Sequence, residues 1–160
     1  MSEKSSKPDR PAGFHISPVM LIRLSSILVV LLMAGHTSAY PWASTHGPQE
    51  IALAASMKAV EFEFAGERST YWGLYFGWGL LISVLLFMLA VVLWLISDLC
   101  RLAPRRIGII TGCISVTCLV GAYLSSRFFY LPPTLMFSVI CFILLVTTVQ
   151  LLGPSSSERA

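Results

Sequence analysis

Few residues in this 160-residue chain have the types and spacing that catalysis or metal binding requires. His36 stands near the end of an apolar run, where an imidazole could bind a ligand or transfer a proton. Glu61 and Glu63 are paired carboxylates of the kind that serve acid–base catalysis. No second His or Cys stands at ligand spacing from His36, and no hydrolase or nucleotide-binding motif occurs. We therefore predict no catalytic residue, no metal and no cofactor. His36 is then an interfacial histidine, and the two glutamates form a solvated face.

The four cysteines do not suggest a redox or zinc site. They are Cys100, Cys113, Cys118 and Cys141, and no two of them form a C-x-x-C pair. Three lie inside apolar runs, where cysteine behaves as a small packing residue. A disulfide framework is not expected, because the segments predicted to lie on the outer side of the membrane contain no cysteine.

Composition assigns the chain to the membrane proteins. Hydrophobic residues make up 56% of the sequence and charged residues 12%, against about 25% charged residues in an average soluble protein. Such a chain cannot cover a water-facing surface with charge, so lipid must solvate much of it. The net charge of +3 is not clustered, and we expect no nucleic-acid partner.

Four apolar runs are long enough to cross a bilayer, whose hydrocarbon core of about 30 Å takes about 20 helical residues. Ser17-Pro18 is a favourable helix start, with Ser as the N-cap and Pro at the first helical position. We predict an all-α membrane fold, a four-transmembrane-helix bundle at residues 18–152 between disordered cytoplasmic tails at 1–17 and 153–160. The predicted spans are 18–39, 69–97, 107–127 and 132–152.

The first span has an alternative interpretation. Lys4, Lys7, Arg10 and Arg23 could form the basic region of a signal peptide, followed by an apolar core and a small-residue cleavage site at 37–39. The long basic region and Pro41 just beyond that site favour a retained helix instead. The other spans keep the same orientation under either interpretation.

One substantial loop, residues 40–70, joins the first two spans. Apolar residues at helical spacing predict a short helix at 49–60, lying on the membrane surface. Val60, Phe62 and Phe64 then alternate with Glu61 and Glu63, a period of two that predicts a short extended segment ending at Gly66.

Basic residues predict the orientation, because short cytoplasmic segments carry an excess of Lys and Arg. Eight of the eleven lie in segments that are cytoplasmic if both termini are inside, and the other three are Lys58, Arg68 and Arg127. We therefore expect an integral, multi-pass protein of the bacterial inner membrane with cytoplasmic N- and C-termini.

Rows of small residues predict close helix packing in the membrane. The second and third spans are antiparallel neighbours, so we predict a close crossing where Gly73 and Gly77 meet Gly121 and Ser125. Gly108 and Gly112 lie at the opposite end of the third span. They need another partner, such as Thr147 and Thr148 on the fourth span or a second subunit.

Ionisable residues are missing from the middle of every predicted span. Arg23, Asp98 and Arg127 lie near span ends, and His36 lies about one turn from one. Pumps and ion-coupled carriers usually need buried ionisable groups, so this pattern disfavours them. The leading hypothesis is a non-enzymatic membrane protein that packs with itself or with a membrane protein partner. The alternative is a site for a lipid or quinone-like small molecule at the outer mouth of the bundle, near His36, Trp72 and Arg127.

Residues 66–72 (Gly-Glu-Arg-Ser-Thr-Tyr-Trp) and 75–80 (Tyr-Phe-Gly-Trp-Gly-Leu), together with His36, carry a family resemblance. They resemble a family of small bacterial four-helix integral membrane proteins that share a Gly–Arg–Ser–aromatic entry into the second span. The resemblance implies a bacterial inner-membrane helical bundle and supplies no activity. Members of that family often carry an acidic residue near the position of Gly73, where this chain has glycine.

Overall fold

The computed structural model describes residues 16–39 and 47–153, and within these ranges the chain is mostly helical. The described residues form five α-helices, one two-stranded hairpin and one 3₁₀ turn. In chain order they are α1 (Pro18–Ala39), α2 (Pro48–Ala59), β1 (Glu61–Phe64), β2 (Glu67–Thr70), α3 (Tyr71–Asp98), the 3₁₀ turn (Leu99–Arg101), α4 (Pro104–Phe128) and α5 (Leu131–Leu152).

Local sequence explains where two of the long helices begin. The Ser17 hydroxyl accepts a hydrogen bond from the Met20 backbone N–H at 3.3 Å, which confirms the predicted N-cap of α1. Thr70 caps α3 in the same way, accepting from the Gly73 N–H at 3.0 Å. Proline stands in the first turn of α2, α4 and α5, where its missing N–H leaves no helical hydrogen bond unmade.

The loop between α1 and α3 contains a hairpin. The predicted extended segment is confirmed as β1, which pairs antiparallel with β2 in a register that joins Glu61 to Thr70. The turn residues Ala65 and Gly66 have φ of 55° and 85°, as a two-residue hairpin turn with two left-handed residues requires. The predicted helix at 49–60 is present as α2.

The predicted spans are found as helices with somewhat different bounds. The second begins at Tyr71 instead of residue 69, because residues 67–70 are used as strand β2. The third begins at Pro104 and the fourth at Leu131. The predicted tails lie outside the described residues, except for Ile16, Ser17 and Gly153. Residues 40–46, which directly follow the candidate cleavage site, also lie outside them.

The long helices are apolar over most of their surface. Side chains such as Leu85, Phe87 and Leu95 on α3 are about half exposed, and one face of the helix is buried. All four long helices have the length and hydropathy needed to cross a membrane. A helix that exposes apolar side chains around most of its circumference fits a lipid environment. These features support a multi-pass membrane protein.

The four long helices pack in the order α3, α1, α5, α4. Each neighbouring pair is antiparallel, so the C-terminus of α1 and the N-terminus of α3 lie at the same end as α2 and the hairpin. We call this the loop end. The opposite end is the basic end, because it carries Arg101 in the 3₁₀ turn and Arg105 and Arg106 in the first turn of α4. Although α3 and α4 are consecutive, they have almost no direct contact, and the 3₁₀ turn contacts both of them.

Hydrogen bonds join α1 to α3 along their length. The Ser26 hydroxyl donates to the backbone carbonyl of Ala90 at 2.7 Å. At the basic end, Arg23 pairs with Asp98 at 2.8 Å between Nη2 and Oδ1, and its Nε donates to the Ser97 hydroxyl at 3.2 Å. The sequence prediction did not anticipate these bonds, because it did not pair the first two spans.

Small residues on α4 form the contact with α5. A Cβ added at Gly108 would lie 2.8 Å from the Leu152 side chain, and one added at Gly112 would lie 3.3 Å from Thr148. Thr148 was one of the partners predicted for these glycines, and the structure confirms it for Gly112. The Ser115 hydroxyl donates to the Cys141 carbonyl at 3.0 Å.

The predicted close crossing of the second and third spans is wrong. A Cβ added at Gly77 would meet no atom within 4 Å, and one added at Gly73 would meet only Ser69 and Thr70. A Cβ added at Gly121 would instead lie 3.1 Å from the Phe137 ring of α5. The prediction assumed that a short connection makes two helices close neighbours, whereas here α1 and α5 each lie between α3 and α4 in the packing order.

Candidate functional site

A cavity of about 580 Å³ lies in the loop-end half of the helical domain, between α3 and α4. All four long helices contribute to its wall, with α1 and α5 supplying most of it. Its position follows from the packing, because α3 and α4 do not close against each other there. The lining residues are Leu31, Leu32, Gly35, His36, Ala39, Ile82, Leu86, Gly121, Leu124, Ser125, Phe129, Tyr130, Pro132, Pro133, Met136 and Phe137.

His36 is the predicted site residue that this cavity contains. Its Nε2 lies 3.1 Å from the Gly79 carbonyl of α3, and a carbonyl only accepts, so Nε2 carries the proton. The Ser83 hydroxyl donates to the same carbonyl at 3.3 Å and lies 2.9 Å from the Thr37 hydroxyl. Because Ser83 has one proton to give, Thr37 is the donor in that pair. This network fixes the imidazole at the edge of the cavity.

Ser125 is the second polar group in the wall, and its hydrogen bonding is unusual. It is 4% exposed, yet no hydrogen bond to its hydroxyl is found within the part of the chain that the structure describes. No fully enclosed nitrogen or oxygen of a described side chain lacks a partner. The Ser125 oxygen must therefore reach open space, and the open space that this residue borders is the cavity.

Apart from the Tyr130 hydroxyl, the rest of the wall is apolar and partly aromatic. The Phe137 ring lies against the backbone of α4 because Gly121 has no side chain there. Phe129, Tyr130, Pro132 and Pro133 close the wall at the connection between α4 and α5. Rings and prolines present flat, rigid apolar surfaces, which suit a flat apolar ligand better than a solvated ion.

Trp72 and Arg127, the other residues of the predicted outer-mouth site, are not part of this wall. The Trp72 ring stacks near Phe76 with 6.5 Å between ring centroids, and Lys58 Nζ lies 4.7 Å above it. Trp72 therefore joins α2 to α3. Arg127 lies exposed in the last turn of α4. The structure brings His36 together with Ser125 and the α4–α5 connection instead.

The remaining predicted packing residues divide between two places. Gly108, Gly112 and Gly121 face α5. Gly73 and Gly77 line a separate open groove of about 320 Å³ on α3, together with Ser69, Leu74, Trp78 and Leu81. Within the described ranges, no group of three or more His, Cys, Asp or Glu could hold a metal ion.

Sequence reasoning missed most of this wall. Ser125 was interpreted as a packing residue, because small residues on membrane helices usually permit close approach. The cluster of aromatic and proline residues at 128–133 was the available signal, since such residues at a helix connection build a rigid rim.

Comparison with known proteins gives no further information on the site. No family model, curated protein or solved structure matches the chain.

Proposed function

We propose that this protein is a non-enzymatic, multi-pass membrane protein that binds a lipid or quinone-like small molecule in the cavity between α3 and α4. In this proposal the loop end faces outward, the basic end and both termini face the cytoplasm, and the membrane is the bacterial inner membrane. α2 and the hairpin then lie at the outer surface.

The cavity is the observation that carries this proposal. Its volume of about 580 Å³ is within the range of about 300–1,000 Å³ that small-molecule sites occupy. An unfilled space of this size between membrane helices would forfeit dispersion contacts on every side. A ligand drawn from the bilayer would restore those contacts, and the gap between α3 and α4 gives it a lateral path from the lipid.

The composition of the wall supports binding over catalysis. A binding site needs a mostly apolar wall with a few polar groups, which His36, Ser125 and Tyr130 provide here. Nucleophilic catalysis needs a base beside the nucleophile, and the Ser125 hydroxyl has no such partner among the described side chains.

Native mass spectrometry of the protein released from nanodiscs tests the proposal. We expect a stoichiometric bound molecule on the wild-type chain. Gly35→Phe should reduce its occupancy at least tenfold, because Gly35 lines the cavity and a Cβ there meets no atom within 4 Å. The added ring should therefore occupy part of the space that the ligand needs.

Gly77→Phe is the matched control. Its Cβ is equally unobstructed, but Gly77 lines the groove on α3 instead of the cavity, so the bound molecule should remain. A wild-type mass equal to that of the polypeptide alone would refute the proposal. Equal loss from both variants would also refute it, since binding would then not depend on the cavity.

Association with a second copy is the second candidate function. The supporting observation is the α3 groove, where Gly73 and Gly77 contact no other helix among the described elements. Small residues in a membrane helix allow a second helix to approach closely. Crosslinking in native membranes should then yield a dimer that Gly77→Leu abolishes. A monomer under all conditions would rule this candidate out.

A further inference from the structure

We infer that the ligand of this cavity is a neutral, lipid-soluble carbonyl compound of the quinone class, and that the Ser125 hydroxyl donates a hydrogen bond to its carbonyl oxygen. This inference rests on the proposed binding function and adds to it the chemical class of the ligand and the residue that recognises it.

Comparison with the other buried hydroxyls identifies Ser125 as the recognition group. Six other buried serines and threonines in the described ranges each donate to a backbone carbonyl. They are Ser25, Ser26, Ser97, Thr111, Ser115 and Thr147. Ser125, on the same helix as two of them, donates to none. Burying a hydroxyl without a partner is unfavourable, so a ligand that accepts its proton would relieve that cost.

Charge excludes several ligand classes. None of the residues that line the cavity is Lys, Arg, Asp or Glu. A phosphate or carboxylate placed there would lose its hydration without gaining the permanent positive charge of a Lys or Arg, which costs far more than burying a neutral polar group. The ligand is therefore neutral at the depth of Ser125, although a charged group could still lie outside the cavity.

Shape favours a ring over a flexible chain. Phe129, Tyr130 and Phe137 supply aromatic surfaces, and Pro132 and Pro133 add rigid ones. Aromatic side chains favour offset-stacked or edge-to-face neighbours, which a flat quinone ring provides. The space toward Leu31, Leu32 and Leu86 is aliphatic, and it would receive the ring's apolar tail.

Binding of a radiolabelled decyl-substituted benzoquinone to protein-loaded nanodiscs, measured against empty nanodiscs, tests the inference. We expect saturable binding to the wild type. Ser125→Ala should weaken it about 3- to 10-fold, as expected for one hydrogen bond. Ser125→Thr retains a hydroxyl and should restore affinity. A neutral lipid without a ring, dioctanoylglycerol, should compete weakly.

Ser126→Ala is the control, because Ser126 is exposed and its hydroxyl donates to the Tyr123 carbonyl of its own helix. It should leave quinone affinity and thermal stability unchanged. Equal quinone affinity in Ser125→Ala and wild type would overturn the role of Ser125. Strong binding of dioctanoylglycerol without quinone binding would overturn the ligand class and leave the proposed function intact. If neither the quinone nor dioctanoylglycerol binds, and no molecule copurifies with the protein, the inference and the proposed function are overturned together.

Discussion

The Ser26 hydroxyl of α1 donates a 2.7 Å hydrogen bond to the backbone carbonyl of Ala90 in α3. Both residues are buried, so the bond crosses the interface of two apolar helices. Its neighbour Ser25 is equally buried but donates to the Leu21 carbonyl of its own helix, at 3.0 Å. Two adjacent serines thus differ in whether they join α1 to another helix.

This difference predicts unequal effects of two alanine substitutions. Ser26→Ala should destabilise the protein by about 0.6 kcal/mol, the average for a hydrogen bond between membrane helices. Ser25→Ala should change stability less, because α1 keeps its backbone hydrogen bonds without that side chain. Unfolding of both variants by SDS in mixed micelles would compare them. A larger effect at Ser25 would contradict the observed pairing of α1 with α3.

Two glycines predict opposite outcomes for the same substitution. Gly108→Leu should destabilise the protein by about 1–3 kcal/mol, as overpacking does, because its Cβ would lie 2.8–3.1 Å from Leu152 and Leu151. Gly77→Leu should be nearly neutral in the monomer, since its Cβ meets nothing within 4 Å. Thermal unfolding in detergent at low protein concentration measures both. A stable Gly108→Leu protein would show that α4 and α5 pack less closely than described.

The contacts of Arg23 predict that the two residues of the Arg23–Asp98 ion pair contribute unequally to stability. Asp98→Asn should cost less than about 1 kcal/mol, because exposed ion pairs contribute little and these side chains are 44% and 59% exposed. Arg23→Ala should cost more, about 1–2 kcal/mol, since it also loses the Ser97 hydrogen bond and the Trp94 ring 5.1 Å from the guanidinium carbon. Added salt should reduce only the contribution of the Arg23–Asp98 ion pair to stability. Equal effects of the two substitutions would contradict this division.

The helices could be predicted from the sequence because length and hydropathy are local properties. The N-cap at Ser17, the extended segment at Glu61–Phe64 and the helix that became α2 all follow from neighbouring residues. The predicted start of α3 was wrong by two residues. The preceding strand β2 consists of polar residues, so it shows no clear alternation of apolar and polar side chains.

The helix partners could not be predicted in the same way. Ser115, Gly108 and Gly121 allow close approach without specifying which helix approaches, and the small row on α3 at Gly73 and Gly77 could have paired with any of them. The site depended on those partners. His36 was identified because it is a rare residue type in an apolar run, whereas Ser125 becomes informative only once its missing hydrogen bond is visible.

The distribution of basic residues predicts the orientation of the chain, which no contact within the protein determines. Arg101, Arg105 and Arg106 share the basic end of the structure with Arg23, and an excess of Lys and Arg marks the cytoplasmic side. Single cysteines at Ser5, Ala103 and Ser156, introduced into a cysteine-free chain, should therefore be protected from an impermeant thiol reagent in intact cells. Cysteines at Ser44 and Ser56 should react. Membrane disruption controls for accessibility, because it should expose all five positions. Labelling at Ala103 in intact cells would place the basic end outside, which would invert the proposed orientation of the cavity in the membrane.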